Sequence, residues 1–243
     1  MNIENSASPN PANSEVEESN EPKWRPLSSI QRRVVGVLIE KSKTTKDSYP
    51  LTLNAITTAC NQKSNRKPQM DLASDDVELT LDELRDVNAV VEIQGSGRTT
   101  KYKHTMYQWL DVSKVELAVM GELLLRGEQS LGDLRARAAR MEPIAGLSEL
   151  KPIVDSLVGK KLVVELTPSG RGQMVTHNLY ASNELEQIRQ QVSSGEVVSS
   201  SEPGSTSRSI ESPSAGPNLQ SQIDELKAEI SELKERLNQL ESI

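Results

Sequence analysis

Apolar positions along this chain fall into two rhythms, and both recur at a fixed distance. Val77, Leu81 and Leu84 follow steps of four and three, which places them on one face of a helix. Val90-Val91-Glu92-Ile93 then runs into Gly95-Ser96-Gly97, and a second extended stretch follows through His104. β-Branched residues interrupted by glycine read as a β-hairpin. Seventy-three residues further on the order returns as Leu150, Val154 and Leu157, then Val163-Val164-Glu165-Leu166, then Pro168-Ser169-Gly170. A gap-free register over helix and hairpin predicts a duplicated module.

Each copy extends upstream. In the first, Ser28 or Ser29 caps a helix whose inward positions are Ile30, Val34, Val37 and Leu38, with Arg32 and Arg33 turned outward. Thr52 caps a short helix through Cys60, and a polar loop runs from Asn61 to Pro68. Ser74 caps a third helix, with Asp75, Asp76 and Glu78 in the first turn, where they suit the helix dipole. Strands near 89–94 and 99–104 close the module. The second copy repeats this order with shorter loops. Ser113 caps a helix carrying Val115, Leu117, Val119, Met120, Leu123 and Leu124, while Leu131, Leu134, Ala138 and Met141 line a short one. Ser148 caps a third through about Gly159, and the hairpin spans about 162–180. Trp109 and Leu110 at the junction pack between modules, in preference to stacking on a base. Helix, short helix, helix, hairpin is the order of a winged helix. The predicted fold is α+β, mostly α: two tandem winged-helix modules at 27–108 and 109–191.

The flanks differ in character. Residues 1–26, rich in Asn, Ser, Glu and Pro, read as a disordered tail. Residues 192–217 hold ten serines, three prolines and three glycines, a flexible linker reaching roughly 28 Å root-mean-square if random. From 218 to 243, Leu219, Ile223, Leu226, Ile230, Leu233, Leu237 and Leu240 recur at steps of four and three. Ile223, Ile230 and Leu237 take heptad position a and the other leucines d, a pattern favouring a parallel two-stranded coiled coil. Glu229 facing Lys234, and Arg236 facing Glu241, agree with a homodimer. A lone amphipathic helix lying on the modules is the alternative.

The chain has 243 residues, 2% aromatic content and no Phe, so its cores must be aliphatic. No apolar run approaches the roughly 18 residues of a membrane span, and the N-terminus lacks a basic start and apolar stretch. Cys60 stands alone, so no internal disulfide forms and a reducing cytoplasm is expected. The formal charge of −7 belongs to the flanks: residues 27–191 carry 22 basic and 21 acidic side chains. That balance is unlike the strongly basic domains that announce nucleic-acid binding, although a local patch suffices.

Catalytic and cofactor chemistry finds little support. Two histidines and one cysteine show no zinc-ligand spacing, and no phosphate-binding loop is present. Gly95-Ser96-Gly97 lies between strands, where a dinucleotide fingerprint does not occur. His104 and His177 share the 73-residue register, which favours a structural place. No enzyme activity, cofactor or metal is expected. Nucleic-acid binding is the sharper hypothesis. Arg98, Lys101 and Lys103 lie on the first hairpin, Lys63, Arg66 and Lys67 in the polar loop, and Arg171 on the second hairpin. A phosphate-contacting rim of the six cations on the first hairpin and polar loop would give a logarithmic salt slope of about −5. Against it, the third helix carries Asp75, Asp76, Glu78, Asp82, Glu83 and Asp86 beside one Arg85, which disfavours major-groove reading. Arg126, Arg135, Arg137 and Arg140 could hold phosphate, but pairing with carboxylates of either module is the favoured role.

Long motifs carry a family resemblance. They are Tyr49-Pro50-Leu51 with Asn54, Ala59-Cys60-Asn61-Gln62-Lys63 with Asn65-Arg66, Pro68 and Met70, Leu123-Leu124-Leu125-Arg126-Gly127 with Gln129, and Gly132-Asp133-Leu134-Arg135 with Arg137-Ala138 and Arg140-Met141. Over about 27–182 the chain resembles the YceH-like family of bacterial proteins of unknown function. The resemblance implies two winged-helix modules and no established activity. Two readings follow: DNA-associated regulation through a cationic wing and loop, or a protein-interaction scaffold without nucleic acid.

Overall fold

Ser28 opens the first helix, α1 (Ser29–Thr44), through a reciprocal cap. Its hydroxyl accepts from the Gln31 N–H, and the Gln31 Oε1 accepts from the Ser28 N–H. A 3-10 turn (Lys46–Ser48) leads to α2 (Leu53–Cys60), capped by the Thr52 hydroxyl, then to α3 (Ser74–Asp86) and the ribbon of β1 (Val90–Gln94) and β2 (Thr100–His104). A connector, α4 (Met106–Leu110), leads into α5 (Lys114–Arg126), which carries a second reciprocal cap between Ser113 and Glu116. The strand β3 (Gln129–Ser130), α6 (Leu131–Ala138), α7 (Leu147–Gly159), β4 (Val163–Glu165), β5 (Met174–His177) and α8 (Ser182–Ser193) complete it.

This computed structural model describes residues 24–94 and 99–194. The expected tail at 1–23, Arg98 with the turn at 95–98, and the linker beyond 194 lie outside the described residues. So does the expected coiled coil on Leu219, Ile223, Leu226, Ile230, Leu233, Leu237 and Leu240. What is described is mostly helical α+β, with eight α-helices and two small sheets.

The 73-residue register survives as backbone geometry. α3 and α7 begin and end 73 residues apart. Asn88 and Lys161 both turn left-handed, at φ 57° and 60°. The Ala89 N–H donates to the Leu84 carbonyl, and the Leu162 N–H donates to that of Leu157. Two expected caps shift: Ala73 and Gly146 are the N-cap residues, so Ser74 and Ser148 already lie inside their helices. A carboxylate takes over the capping role at each start, Asp76 accepting from the Ala73 N–H and Glu149 from that of Ala145.

The sheets are separate. β1 and β2 pair antiparallel from Val90 opposite His104 to Gln94 opposite Thr100, while β5 lies between β3 and β4. Between them α1 packs on α5, and at both helices the contact requires glycine. A Cβ on Gly36 would meet Leu125 at 2.9 Å, and one on Gly121 would meet Ile39 at 2.6 Å. Buried apolar residues from both repeats form one continuous cluster, with Trp24 packed against it.

Close packing on several sides corrects the expectation for Arg32 and Arg33. Every residue from Gln31 to Ile39 is buried, both arginines included. A buried charge needs fixed partners, and carbonyls supply them: Arg33 donates to the Cys60 and Pro68 carbonyls, and Arg32 to that of Leu27. Among the described residues no helix is long and apolar enough to cross a membrane.

Candidate functional site

Residues directly opposite in an antiparallel pair share a face. Val91 faces Lys103 and Ile93 faces Lys101, so one side of the first ribbon carries two apolar and two cationic side chains. Val91 and Ile93 are 36% and 37% exposed, Lys103 is exposed and Lys101 half-buried. Neither lysine forms an ion pair among the described residues. The opposite side carries Tyr102 and His104, both buried. The ribbon is thus anchored on one face and open on the other.

The polar loop is placed differently from the sequence expectation. Lys63 is exposed, but Arg66 is buried, with its guanidinium 2.7 Å from Glu40 and its Nε–H donating to the Ala59 carbonyl. It serves the interior and leaves the expected outer rim. Lys67 pairs with Glu128 at 2.6 Å, tying the loop to the second repeat. Arg171 is exposed in the second hairpin. The carboxylates along α3 are exposed, with Leu79 among them at 64% exposure, and Arg85 is engaged by Asp82 and Glu92.

Arg126, Arg137 and Arg140 of the second repeat are engaged by the protein itself, although Arg140 stays exposed. Arg126 and Arg140 both donate to the Asn65 side chain of the first repeat, and Arg137 donates to Gln129. Between them lies Glu122, 3.1 Å from Arg126 and 3.9 Å from Arg140. Burial pushes its carboxyl up to about 7, against the pull of those arginines. Sequence periodicity does not mark Glu122, which stands within an apolar helix; Arg126, four residues on, is the local cue to its partner.

The two histidines occupy equivalent corners. His104 Nδ1 accepts from the Met106 N–H, and His177 Nδ1 from the Leu179 N–H, so each ring caps the turn after its closing strand. Each is followed three residues later by a tyrosine: Tyr107 lies 5.8 Å from His104 between ring centroids, and Tyr180 stacks on His177 at 3.9 Å. A cation from α1 stands over each tyrosine, Lys43 over Tyr107 and Arg32 over Tyr180. Burial, with Lys43 and Lys103 nearby, pulls the His104 ring down to about 4, and burial holds His177 well below the usual histidine range. Since Nδ1 of His104 is the acceptor, Nε2 carries the ring proton and donates to Ser42 Oγ at 3.1 Å.

The surroundings of the corners differ. At His177 the N-terminal turn of α8 brings Glu184 onto Arg32 at 2.8 Å and 3.0 Å, and the residual pocket measures about 240 Å³. At His104 a cleft of about 800 Å³ remains, bordered by Lys43, Lys46, Tyr49, Lys103, Tyr107 and Lys114. The Lys43 side chain is 6% exposed and is held by Glu142 at 3.1 Å and by the Lys114 carbonyl. Lys46, Lys103 and Lys114 are exposed and form no ion pair among the described residues. None of Lys43, Lys46 and Lys114 stands out in the sequence, because the topology alone gathers them.

Other chemistry is quiet. Cys60 is fully buried, and burial pushes its thiol up to about 12. Trp109 is half-buried and donates its Nε1–H to the Val87 carbonyl, within the first repeat. No group of three His, Cys, Asp or Glu among the described residues could hold a metal ion.

Comparison with known proteins agrees with the motif resemblance. The family model described as a protein of unknown function, DUF480, matches residues 27–173. A UPF0502 protein of Rhodopirellula baltica is 50% identical over 202 residues, covering 82% of this chain and 84% of that protein. UPF0502 proteins of Geobacter sulfurreducens and Pseudoalteromonas atlantica are 47% and 46% identical, and the matches span 60% and 64% of their lengths. The chain therefore belongs to the DUF480, or UPF0502, family of bacterial proteins of unknown function.

Proposed function

We propose that the protein is a non-enzymatic pair of tandem winged-helix modules that contacts duplex DNA electrostatically through the wing β1–β2. The carrying observation is the ribbon's open face, where Lys101 and Lys103 flank Val91 and Ile93 and spend no charge on the protein itself. A wing alongside the phosphate backbone needs that combination, cations for phosphate and short apolar side chains for the groove wall. The acidic α3 argues against insertion of that helix in the major groove, so the contact is backbone-led and weakly selective. The non-enzymatic part is supported by the state of the reactive groups: both histidine rings are engaged and neutral near pH 7, and the thiol is protonated.

The test is a salt titration of the full chain on random duplex DNA. Each phosphate neutralised contributes about −0.9 to the logarithmic slope. With Arg66 and Lys67 engaged internally, Lys63, Lys101, Lys103 and Arg171 remain among the described residues, and Lys101→Ala with Lys103→Ala removes about two units of slope. Absence of binding at about 50 mM salt, where such contacts are strongest, would turn the reading to the second one. That is a protein-interaction scaffold, favoured by the exposed Leu79 among the carboxylates of α3. Homodimerisation through 218–243 belongs to either reading. Ile230→Asp should halve the sedimenting mass, and an unchanged mass would end that part.

A further inference from the structure

We propose that the cleft beside His104 binds the phosphoryl groups of a nucleotide-sized small molecule. The inference does not rest on DNA binding by the ribbon. Its first support is the inequality of two corners built on one plan. At His177 the chain brings its own carboxylate, Glu184, to the cation over the tyrosine, and α8 leaves about 240 Å³. At His104 the equivalent cation, Lys43, is neutralised by Glu142, yet three further lysines border the same space. Glu142 is the one carboxylate among the lining residues, so the cleft holds a cationic surplus on the scale of a di- or triphosphate.

Size and lining point the same way. A volume of about 800 Å³ lies within the range of small-molecule sites. The lysines come from separate parts of the fold, Lys46 from the turn after α1, Lys103 from β2 and Lys114 from the start of α5. A phosphate group suits such a set, because each ammonium acts as a point charge and needs no fixed fork geometry. Tyr49 and Tyr107 supply ring surface for an attached base. Their positions are secured from behind: the Tyr49 hydroxyl accepts from the His104 N–H at 2.8 Å, and the Lys43 ammonium reaches the Tyr107 hydroxyl at 3.5 Å. Ser42 donates to the Ile39 carbonyl and accepts from His104, so the floor beneath is already satisfied. Recognition therefore falls to the exposed lysines at the rim.

Calorimetric titration of the full chain with ADP, without divalent metal, tests this, with adenosine as the uncharged control. ADP is expected to bind at one site per chain. Lys46→Ala and Lys114→Ala, both exposed and outside the core, should each weaken it about tenfold. Lys101→Ala, on the open face of the ribbon and outside the cleft lining, should leave ADP affinity unchanged. No saturable heat up to about 1 mM ADP, adenosine binding as tightly as ADP, or ADP affinity unchanged from that of the parent chain in both cleft variants would overturn the proposal. A chain that loses DNA binding with Lys101→Ala yet ignores ADP would refute the cleft alone. One that binds ADP and no duplex would refute the ribbon alone.

Discussion

The His104 and His177 corners share a template and end in opposite states. Both have a ring nitrogen accepting from the backbone N–H two residues on, a tyrosine three residues on, and an α1 cation above that tyrosine. At His177 the guanidinium of Arg32 also takes the Leu27 carbonyl and both oxygens of Glu184. The corner is closed by the segment that follows it. The His104 corner is followed instead by α4 and α5, which carry the chain past it and bring Lys114 to its edge. The two corners share their local geometry, and the chain downstream of each decides which is closed and which stays open.

The largest effect should come from breaking the closed corner. Arg32→Ala removes the donor to the buried Leu27 carbonyl, the paired contact with Glu184 and the cation over Tyr180. Losing a buried charged donor with several acceptors costs on the order of 3 kcal/mol, read by urea unfolding. Lys43→Ala, the equivalent cut in the open corner, should cost about half as much, since it removes a single contact to Glu142, one to a carbonyl, and a cation 5.9 Å from the Tyr107 ring where Arg32 stands 4.5 Å from that of Tyr180. Equal losses would show that the closure by α8 adds nothing.

Acid should act on both corners next. A histidine whose folded pKa lies below its unfolded value is neutral in the folded state while the unfolded chain takes up a proton. Stability is therefore complete above about 6.5 and is lost as pH falls toward the folded value. For His104 that window runs from 6.5 to about 4, on the order of 3 kcal/mol in full. Burial holds His177 well below the usual histidine range in the same sense. His104→Gln and His177→Gln should therefore each flatten the acid loss when unfolding free energies are compared at pH 7 and pH 5. Glu122 works in the other sense. Its raised pKa lets the folded state hold a proton between about 4.5 and 7, so stability from this group rises as pH falls through that range. Glu122→Gln should accordingly steepen the acid loss between pH 6.5 and 4.5.

The repeated helix and hairpin were legible because local rules govern them. Alternating and helical spacing, with a shared 73-residue offset, placed α3, α7 and the first hairpin within a residue or two, and the second hairpin, whose last strand ends at His177, within about three. What sequence missed is nonlocal. Arg32 and Arg33 read as solvent-facing because charge at successive positions of a helix usually marks its wet side. α1 lacks such a side along Gln31–Ile39, since α2, α3 and α5 all pack on it. Arg66 read as a rim cation because its loop is polar, and Glu40, which engages it, lies 26 residues away. The lysine cleft was illegible for the same reason: Lys46, Lys103 and Lys114 carry no shared motif and meet through topology alone. The helix α8 was absorbed into the end of the second module because its apolar pattern is sparse, and its role depends on one carboxylate reaching back to Arg32.

The smallest expected effect sharpens the comparison most. Lys46→Ala and Lys114→Ala should change unfolding free energy by no more than about 0.5 kcal/mol at neutral pH, the usual range for exposed side chains without a structural partner. A residue that holds the fold together reveals itself by a stability loss, as Arg32 should. These lysines instead crowd like charge around one cleft, with Glu142 already engaged by Lys43. Mutual repulsion of that kind is relieved by an anion or by removing one cation. Either variant should therefore be unchanged or slightly more stable at low salt, with the difference vanishing as salt screens the charges. A loss above about 1 kcal/mol in either would mean that the lysine serves the interior, and the open corner would then be structural like its counterpart.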